Sequence, residues 1–174
     1  IIAAMSDFIF MVRGTSYMHL APPPPGYTGQ GIGDAWESHA KISGLADIVA
    51  ENEEDCLEKC RQLLSLLPQH SGEKPPLADT GDAPERQEEA LLELVPADSS
   101  KPYNMHRLIS LIVDNGFFLE IKRYWAPNLI TGFARLGGQP VGLVANNPQD
   151  RAGCLTLDAA DKLSRFVRFC DAFH

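Results

Sequence analysis

The sequence predicts an α/β fold. Three patterns support this class: an amphipathic helix over residues 53–67, a β-hairpin over residues 129–145, and a further amphipathic helix after Asp158. Apolar residues recur every three or four positions along a helix and every second position along a strand, so the two patterns can be told apart. A helix, a twisted sheet and another helix in succession are typical of helices packed on a sheet.

The N-terminal part of the chain begins with two short apolar runs, residues 7–13 and 16–21, that predict buried strands. Four prolines, Pro22–Pro25, and the glycines after them predict an extended loop that matches no nucleotide-binding motif. Three elements are predicted after this loop: a helix at 34–42, a strand at 45–50 and the helix at 53–67. Pro68 ends the last helix, because proline cannot continue the backbone hydrogen-bond pattern.

The C-terminal part predicts a helix, three strands and a final helix. Asn104 caps the first helix, whose apolar face runs from Met105 to Val113. The predicted strands cover residues 117–125, 129–136 and 139–145, with a two-glycine turn at 137–138. Pro140 lacks an amide donor, so it is expected at a sheet edge or a strand start.

The last helix is predicted to begin at an Asp158 cap and to divide into two faces. The apolar face consists of Leu163, Phe166, Val167, Cys170 and Phe173. Lys162, Arg165 and Arg168 recur every third residue, which is typical of a solvated basic face, although such a row can also meet the phosphates of a nucleotide-like ligand.

Charge is distributed unevenly along the 174 residues, whose net charge is -8. Residues 68–100 contain eight acidic residues, two basic ones and five prolines, with few aromatic side chains. Such a composition buries little apolar surface and indicates a linker, with a short helical turn near 86–92. We therefore expect three segments: 1–67, an acidic linker at 68–100, and 101–174.

The composition also excludes some classes of function. The net negative charge argues against nucleic-acid binding as the main activity, and no apolar run is long enough for a membrane helix. The four cysteines match neither a disulfide framework nor a paired zinc site, so we expect reduced thiols and no metal. The five histidines are scattered, and His39 is the one with some chance of lining a site. Trp36 and Trp125 are expected to pack rather than to flank a ligand.

Several strings resemble a known family in its order along the chain. They are DFIFMV and TSY near the start, ISGLAD at 42–47, ENEED at 51–55, LLSLLP at 63–68, KPYNM at 101–105, TGFAR at 131–135, GQPVG at 138–142, VAN at 144–146 and RFVRFCDAF at 165–173. They are similar to the carboxyltransferase (β) subunit of biotin-dependent acyl-CoA carboxylases. The end of the chain is closest to the propionyl-CoA carboxylase branch.

The resemblance implies a crotonase-like fold, built from two domains of repeated β-β-α units. In this reading residues 1–67 end the first domain and residues 101–174 begin the second. It also implies transfer of a carboxyl group from carboxybiotin, supplied on a carrier, to the α-carbon of a short-chain acyl-CoA such as propionyl-CoA or acetyl-CoA. The expected partners are a biotin carboxylase, a biotin carboxyl carrier and further copies of the chain, in the cytoplasm or the mitochondrial matrix.

The resemblance places the acyl-CoA near Gly33, Asp34 and Ala35, and carboxybiotin near Asn146, Asn147 and Pro148. The family's glycine-rich oxyanion loops would lie before Ile1 and after His174, so the chain is expected to be an internal fragment and no catalytic residue is assigned. Two alternatives stay open at this point. One is a non-catalytic assembly module derived from the family, and the other is a decarboxylase or transcarboxylase subunit on the same scaffold.

Overall fold

The computed structural model describes residues 3–18, 35–83, 85–98 and 100–173, which form five α-helices and two small sheets. In chain order the elements are β1 (Phe10–Val12), α1 (Ala35–Glu37) with a π-helical continuation (Ser38–Ile42), β2 (Ile48–Ala50), α2 (Glu53–Leu66), α3 (Ala90–Leu94), α4 (Met105–Ile112), β3 (Phe118–Ile121), β4 (Leu129–Leu136), β5 (Gln139–Asn146) and α5 (Leu157–Phe173). The predicted α/β class is confirmed. The proline and glycine loop that ends at Gly33 lies outside the described residues.

The two sheets differ in strand direction. Strands β1 and β2 run parallel, with Phe10 opposite Ile48. Strands β3, β4 and β5 form an antiparallel sheet with β4 in the middle. The predicted hairpin is confirmed, and its turn has both Gly137 and Gly138 in the left-handed region. Pro140 lies on β5 at the sheet edge, as its missing amide donor required.

Helices α2 and α4 begin at the predicted residues because each has an asparagine cap. The Asn52 side chain accepts from the Asp55 amide at 2.9 Å, and the Asn104 side chain accepts from the Arg107 amide at 3.0 Å. Leu63 and Leu66 make the buried side of α2. The spacing of the apolar residues in the predicted amphipathic helix also placed Leu57 and Leu64 on its inner face, but both are exposed.

Four strand predictions differ from the structure. The strands predicted at 7–13 and 45–50 are shorter, Phe10–Val12 and Ile48–Ala50. The run at 16–21 is not a strand over residues 16–18, because Gly14 turns the chain and Ser16 bonds back to Val12. Residues 19–21 lie outside the described residues. The strand predicted at 117–125 ends at Ile121, since Lys122 adopts a left-handed conformation (φ 54°) that leaves the sheet.

The acidic linker is bonded to the C-terminal part of the chain. The Thr80 hydroxyl donates to the buried Asp114 carboxylate at 3.0 Å, and that carboxylate also accepts from the Gly137 and Gly138 amides of the hairpin turn. Arg86 donates to the carbonyls of Leu111 and Val113 at the end of α4. The linker is therefore more ordered than its composition indicates, and its helix, α3, lies later than the predicted turn.

The main hydrophobic cluster includes residues of both the N-terminal segment and the C-terminal segment. Its buried members are Ile48, Leu63, Leu66, Leu119, Ile121, Phe133 and Phe166. Strand β2 and helix α2 thus share a core with the antiparallel sheet and α5, while the predicted domain boundaries at 67 and 100 stay a prediction. None of the helices in the described part of the chain has the length and apolar character needed to span a membrane.

Candidate functional site

The acyl-CoA side predicted from the resemblance lies at the start of α1. Ala35 is buried there, whereas Gly33 and Asp34 lie outside the described residues. The next residue, Trp36, is buried against Tyr124, with ring centroids 5.6 Å apart. The Arg13 guanidinium lies 4.7 Å from the centre of the Trp36 ring. Aromatic and cation–π packing therefore fixes the direction in which α1 begins.

Arg13 also bonds to two residues outside α1. Its Nη2 donates to the Tyr124 hydroxyl at 2.6 Å, and its Nη1 lies 3.2 Å from a Glu51 carboxylate oxygen. His39 is half-buried, with Nε2 at 3.0 Å from the Met18 carbonyl oxygen. The expectation that Trp36 packs rather than flanks a ligand agrees with these contacts.

The predicted carboxybiotin side is a tight turn at the end of β5. Asn147 is buried, its amide donates to the Asn128 carbonyl at 2.9 Å, and its Nδ2 donates to the Pro127 carbonyl at 2.9 Å. The Asn147 Oδ1 accepts from the Gln149 amide at 3.2 Å, and the Asn146 Nδ2 donates to the Gly153 carbonyl at 2.9 Å. These bonds hold Asn146, Asn147 and Pro148 in one conformation.

The turn does not itself supply the donors that a ureido ring needs. The side-chain amides of Asn146 and Asn147 each donate to a carbonyl outside the turn, those of Gly153 and Pro127. A carbonyl that gains negative charge is stabilised by free N–H groups aimed at it. That carboxybiotin lies near Asn146, Asn147 and Pro148 stays a prediction, in which these side chains would hold the turn rather than donate to the ureido ring. Their role is to fix the shape of the backbone here.

A loop over residues 122–129 lies between the two predicted sides. Asn128, which is buried, accepts from Asn147 through its carbonyl and donates from Nδ2 to the Cys154 carbonyl at 2.7 Å. On the opposite side, the Trp125 ring covers Gly44, just after the π-helical turn that continues α1. The loop thus contacts both regions that the resemblance singles out.

A buried ion pair fixes the start of this loop. The Lys122 Nζ lies 2.8 Å from Asp47 Oδ1 and also donates to the Gly44 carbonyl. The second oxygen of Asp47 accepts from the Ile9 amide at 2.8 Å. Both charged side chains are almost completely buried. Pairing and additional hydrogen bonds are what make such burial tolerable.

Lys162 on α5 contradicts the sequence prediction most clearly. It was assigned to a solvated basic face, but it is 1% exposed. Its Nζ lies within hydrogen-bond distance of four carbonyl oxygens, those of Lys122 at 2.9 Å, Trp125 at 3.0 Å, Ala126 at 3.5 Å and Leu129 at 2.6 Å. Burial lowers the pKa of this ammonium group from 10.5 to about 8.

The rest of α5 divides differently from the prediction as well. Ala159, Lys162 and Phe166 are its buried residues, while Val167 is 50% exposed. The cap is Thr156 rather than Asp158, because the Thr156 hydroxyl accepts from the Ala159 amide at 3.3 Å. Arg165 and Arg168 are exposed, as predicted. The spacing of Ala159, Lys162 and Phe166 at three and four residues is the signal that could have placed Lys162 on the inner face.

A polar cavity of about 420 Å³ opens beside β2, α2 and β3. His106 and Glu120 face it as a pair 3.1 Å apart, and Lys59, Arg123 and Tyr124 also line it. The sequence does not predict a role for His106, because its partner Glu120 lies fourteen residues later in the chain. The lining contains acidic and basic side chains, so the cavity favours no single class of charged ligand.

Metal chemistry finds no support in the described residues. No group of three or more His, Cys, Asp or Glu side chains in that part of the chain is placed to hold an ion. Burial raises the pKa of the Cys56 and Cys170 thiols, which disfavours the thiolate that binds metals. Cys56 and Cys60 are half-buried on α2, as the interpretation of these residues as small hydrophobes expects.

Comparison with known proteins defines the class. The family described as "Carboxyl transferase domain" matches residues 2–174, so the chain belongs to the carboxyl transferase family. It is 46% identical over 178 residues to the methylmalonyl-CoA decarboxylase subunit alpha of Veillonella parvula, covering 98% of this chain and 35% of that protein. It is 44% identical to the propionyl-CoA carboxylase beta chain of Roseobacter denitrificans, covering 98% of this chain and 34% of that one.

A solved structure gives the same result at the level of the fold. Transcarboxylase 12S, in a hexamer structure with methylmalonyl-coenzyme A and methylmalonic acid bound, superposes with a TM-score of 0.87 at 37% identity. The match covers 98% of this chain and 34% of that one. The crotonase-like fold and the family predicted from the sequence strings are confirmed. The chain spans about a third of the length of the relatives it matches.

Proposed function

We propose that this chain is a segment of a carboxyltransferase that moves a carboxyl group between carboxybiotin and the α-carbon of a short-chain acyl-CoA, such as propionyl-CoA or acetyl-CoA. The observation that supports this most is the likeness, over 98% of the chain, to a transcarboxylase structure with methylmalonyl-coenzyme A bound. The relatives named propionyl-CoA carboxylase beta chain point to the same substrate class. Carboxybiotin, when bound, supplies the carboxyl group.

The chain's own residues would contribute shape rather than acid–base groups. In this proposal the acyl-CoA approaches near Gly33, Asp34 and Ala35, and carboxybiotin near Asn146, Asn147 and Pro148. The 122–129 loop, which contacts Gly44 on one side and Asn147 on the other, keeps these two regions at a fixed separation. Fixed geometry accelerates a transfer between two bound groups because little orientation has to be gained at the reaction step.

The proposed partners follow from the relatives. Their names describe them as subunits or chains, and the transcarboxylase structure is a hexamer assembly. We propose that the protein acts with a biotin carboxylase and a biotin carboxyl carrier, and that it assembles with copies of itself. A cytoplasmic or mitochondrial matrix location fits, since the relatives include bacterial proteins and a mitochondrial one from Homo sapiens.

A second candidate is a methylmalonyl-CoA decarboxylase subunit. The observation that favours it is the 46% identity to the Veillonella parvula protein, which is slightly above the 44% identity to the Roseobacter denitrificans carboxylase chain. Both candidates use the same transfer between a thioester and biotin. They differ in whether carbon dioxide is taken up or released.

A chimera tests the proposal. This chain would replace the matching segment in the propionyl-CoA carboxylase beta chain of Roseobacter denitrificans, with the parent and a variant lacking the segment as controls. Assembled with the biotin carboxylase and the biotin carboxyl carrier, and given ATP and bicarbonate as the source of the carboxyl group, the chimera should form methylmalonyl-CoA from propionyl-CoA with kcat within about 10-fold of the parent. A correctly assembled chimera without activity would contradict the proposal and favour the non-catalytic assembly module. Net release of carbon dioxide from methylmalonyl-CoA, with no carboxylation, would favour the second candidate.

A further inference from the structure

The ammonium group of Lys162 lies inside a cage of backbone carbonyls. Four carbonyl oxygens of the 122–129 loop surround it at 2.6–3.5 Å. Among the ion pairs of the described residues, none includes Lys162. The groups that bond to this positive charge are therefore peptide dipoles, at a site that is almost completely buried. An ammonium has three N–H donors. With four carbonyl oxygens around it, it attracts one more carbonyl than it has donors.

The backbone of the 122–129 loop adopts an unfavourable conformation, and the cation at its centre stabilises that conformation. Lys122 and Ala126 have φ values of 54° and 47°, in the left-handed region that side chains with a Cβ seldom adopt. Each of these residues costs about 1–2 kcal/mol in that conformation. The bend turns the carbonyls of Lys122, Trp125, Ala126 and Leu129 inwards toward one point. Without a cation at that point the four dipoles repel one another.

The 122–129 loop is hydrogen-bonded to the turn at the end of β5. The Asn128 and Pro127 carbonyls accept from the amide and Nδ2 of Asn147, both at 2.9 Å. Asn128 and Leu129 are adjacent in the chain, so the carbonyl that bonds Asn147 is one residue from the carbonyl that bonds Lys162. A shift of the cage is therefore passed directly to Asn147.

We propose that Lys162 is a positioning residue: its buried ammonium gathers the carbonyls of the 122–129 loop and thereby sets the position of the Asn146–Pro148 turn. The part of this inference that concerns catalysis rests on the proposed function, because there the turn shapes the carboxybiotin side. The part that concerns structure does not depend on it. Lys162 does not touch either substrate in this proposal.

Amide hydrogen exchange in the chimera, where the chain lies within a complete subunit, tests the structural part. In Lys162→Met, which keeps the length and loses the charge, we expect the Asn147 amide to exchange about 10-fold faster or more, as local opening becomes easier. Amides within α2 serve as the internal reference, and Arg168→Met, an exposed basic residue on the same helix, is the matched control. An unchanged Asn147 amide, or equal acceleration in α2, contradicts positioning.

Chemical rescue provides a second variant in case Lys162→Met does not fold. Lys162→Ala, refolded with n-propylammonium, which matches the three carbons and the nitrogen that the substitution removes, regains an ammonium group inside the carbonyl cage. Slow exchange of the Asn147 amide should return with n-propylammonium and not with tetramethylammonium, which has the charge but no N–H donor. Absence of rescue by n-propylammonium contradicts a role for the ammonium group.

The catalytic part is tested in the chimera by following carboxyl transfer from methylmalonyl-CoA to free biotin, which leaves propionyl-CoA and carboxybiotin. Lys162→Met should raise the KM for biotin about 10-fold while the KM for the acyl-CoA changes less than about twofold. A purely structural role lowers the folded fraction and moves neither KM. If the chimera without this substitution is inactive, the proposed function fails, whereas the exchange result still decides the role of Lys162.

Discussion

The two buried lysines that hold the 122–129 loop do so in different ways. Lys122, at its start, is paired with the Asp47 carboxylate at 2.8 Å. Lys162, from α5, bonds only to carbonyl oxygens. The first arrangement balances one full charge with another, while the second balances a full charge with dipoles. Removing Lys122 therefore leaves a buried charge without its partner. Removing Lys162 leaves only carbonyls, two of which also accept hydrogen bonds from backbone amides.

The largest effect is therefore expected at Lys122. Lys122→Met leaves the Asp47 carboxylate buried and unpaired, which costs about 3–5 kcal/mol of unfolding free energy. Urea unfolding of the chain measures this loss. The double variant Asp47→Asn/Lys122→Met removes both charges and should lose less than Lys122→Met does. If the double variant is as unstable as the single one, the ion pair is not what holds the start of the loop.

The contact between this loop and the first region comes next. Gly44→Ala places a Cβ where it overlaps the Trp125 ring, at a residue with φ of 62°. The overlap and the left-handed strain together should cost about 2–4 kcal/mol. Gly14→Ala is the control, since Gly14 has φ of 74° and open space around it, and should cost about 1 kcal/mol. Equal losses at both glycines would show that the Trp125 contact adds nothing.

The pH dependence of stability separates the two lysines further. Lys162 has a pKa of about 8 in the folded chain against 10.5 when free, so between these pH values the unfolded chain holds more of this proton. The unfolding free energy should therefore rise with pH across this window, by about 1–3 kcal/mol in total, and the rise should be missing in Lys162→Met. Glu120 and Lys122 are the charged groups that act on it. Parallel pH curves for the two chains would contradict this.

The smallest effect is expected far from the loop, at the helix caps. Asn52→Ala and Asn104→Ala each remove one side-chain bond to an exposed amide, at Asp55 and Arg107, and should cost about 1 kcal/mol. Thermal or urea unfolding measures this. The replacement of either cap by Asp should restore most of the loss, and a failure of Asp to do so would show that the cap bond is not the cause.

Elements that depend on neighbouring residues were predictable from the sequence. The Asn104 cap, the two-glycine hairpin turn and the edge position of Pro140 each follow from a short pattern, and all three are present. Family membership was also recognisable, because the matching strings extend over most of the chain. The fold therefore follows largely from local patterns and resemblance.

The surroundings of Lys162 were not predictable in the same way. Its row with Arg165 and Arg168 resembles a solvated face, and nothing local reveals that a loop 33–40 residues earlier turns four carbonyls toward it. That loop depends on left-handed backbone at Lys122 and Ala126, which their side chains do not favour. The burial of a charge such as that of Lys162 depends on tertiary contacts, so the periodicity of the sequence does not predict it.

The most direct test of the central claim is transfer of a labelled carboxyl group in the chimera. Methylmalonyl-CoA with a radiolabelled free carboxyl group would be incubated with biotin and the chimera, and the label on biotin would be counted. We expect label on biotin at a rate within about 10-fold of the Roseobacter denitrificans parent, and none with the variant that lacks the segment. An assembled chimera that leaves all label on the thioester would contradict the claim that this chain is a working segment of a carboxyltransferase.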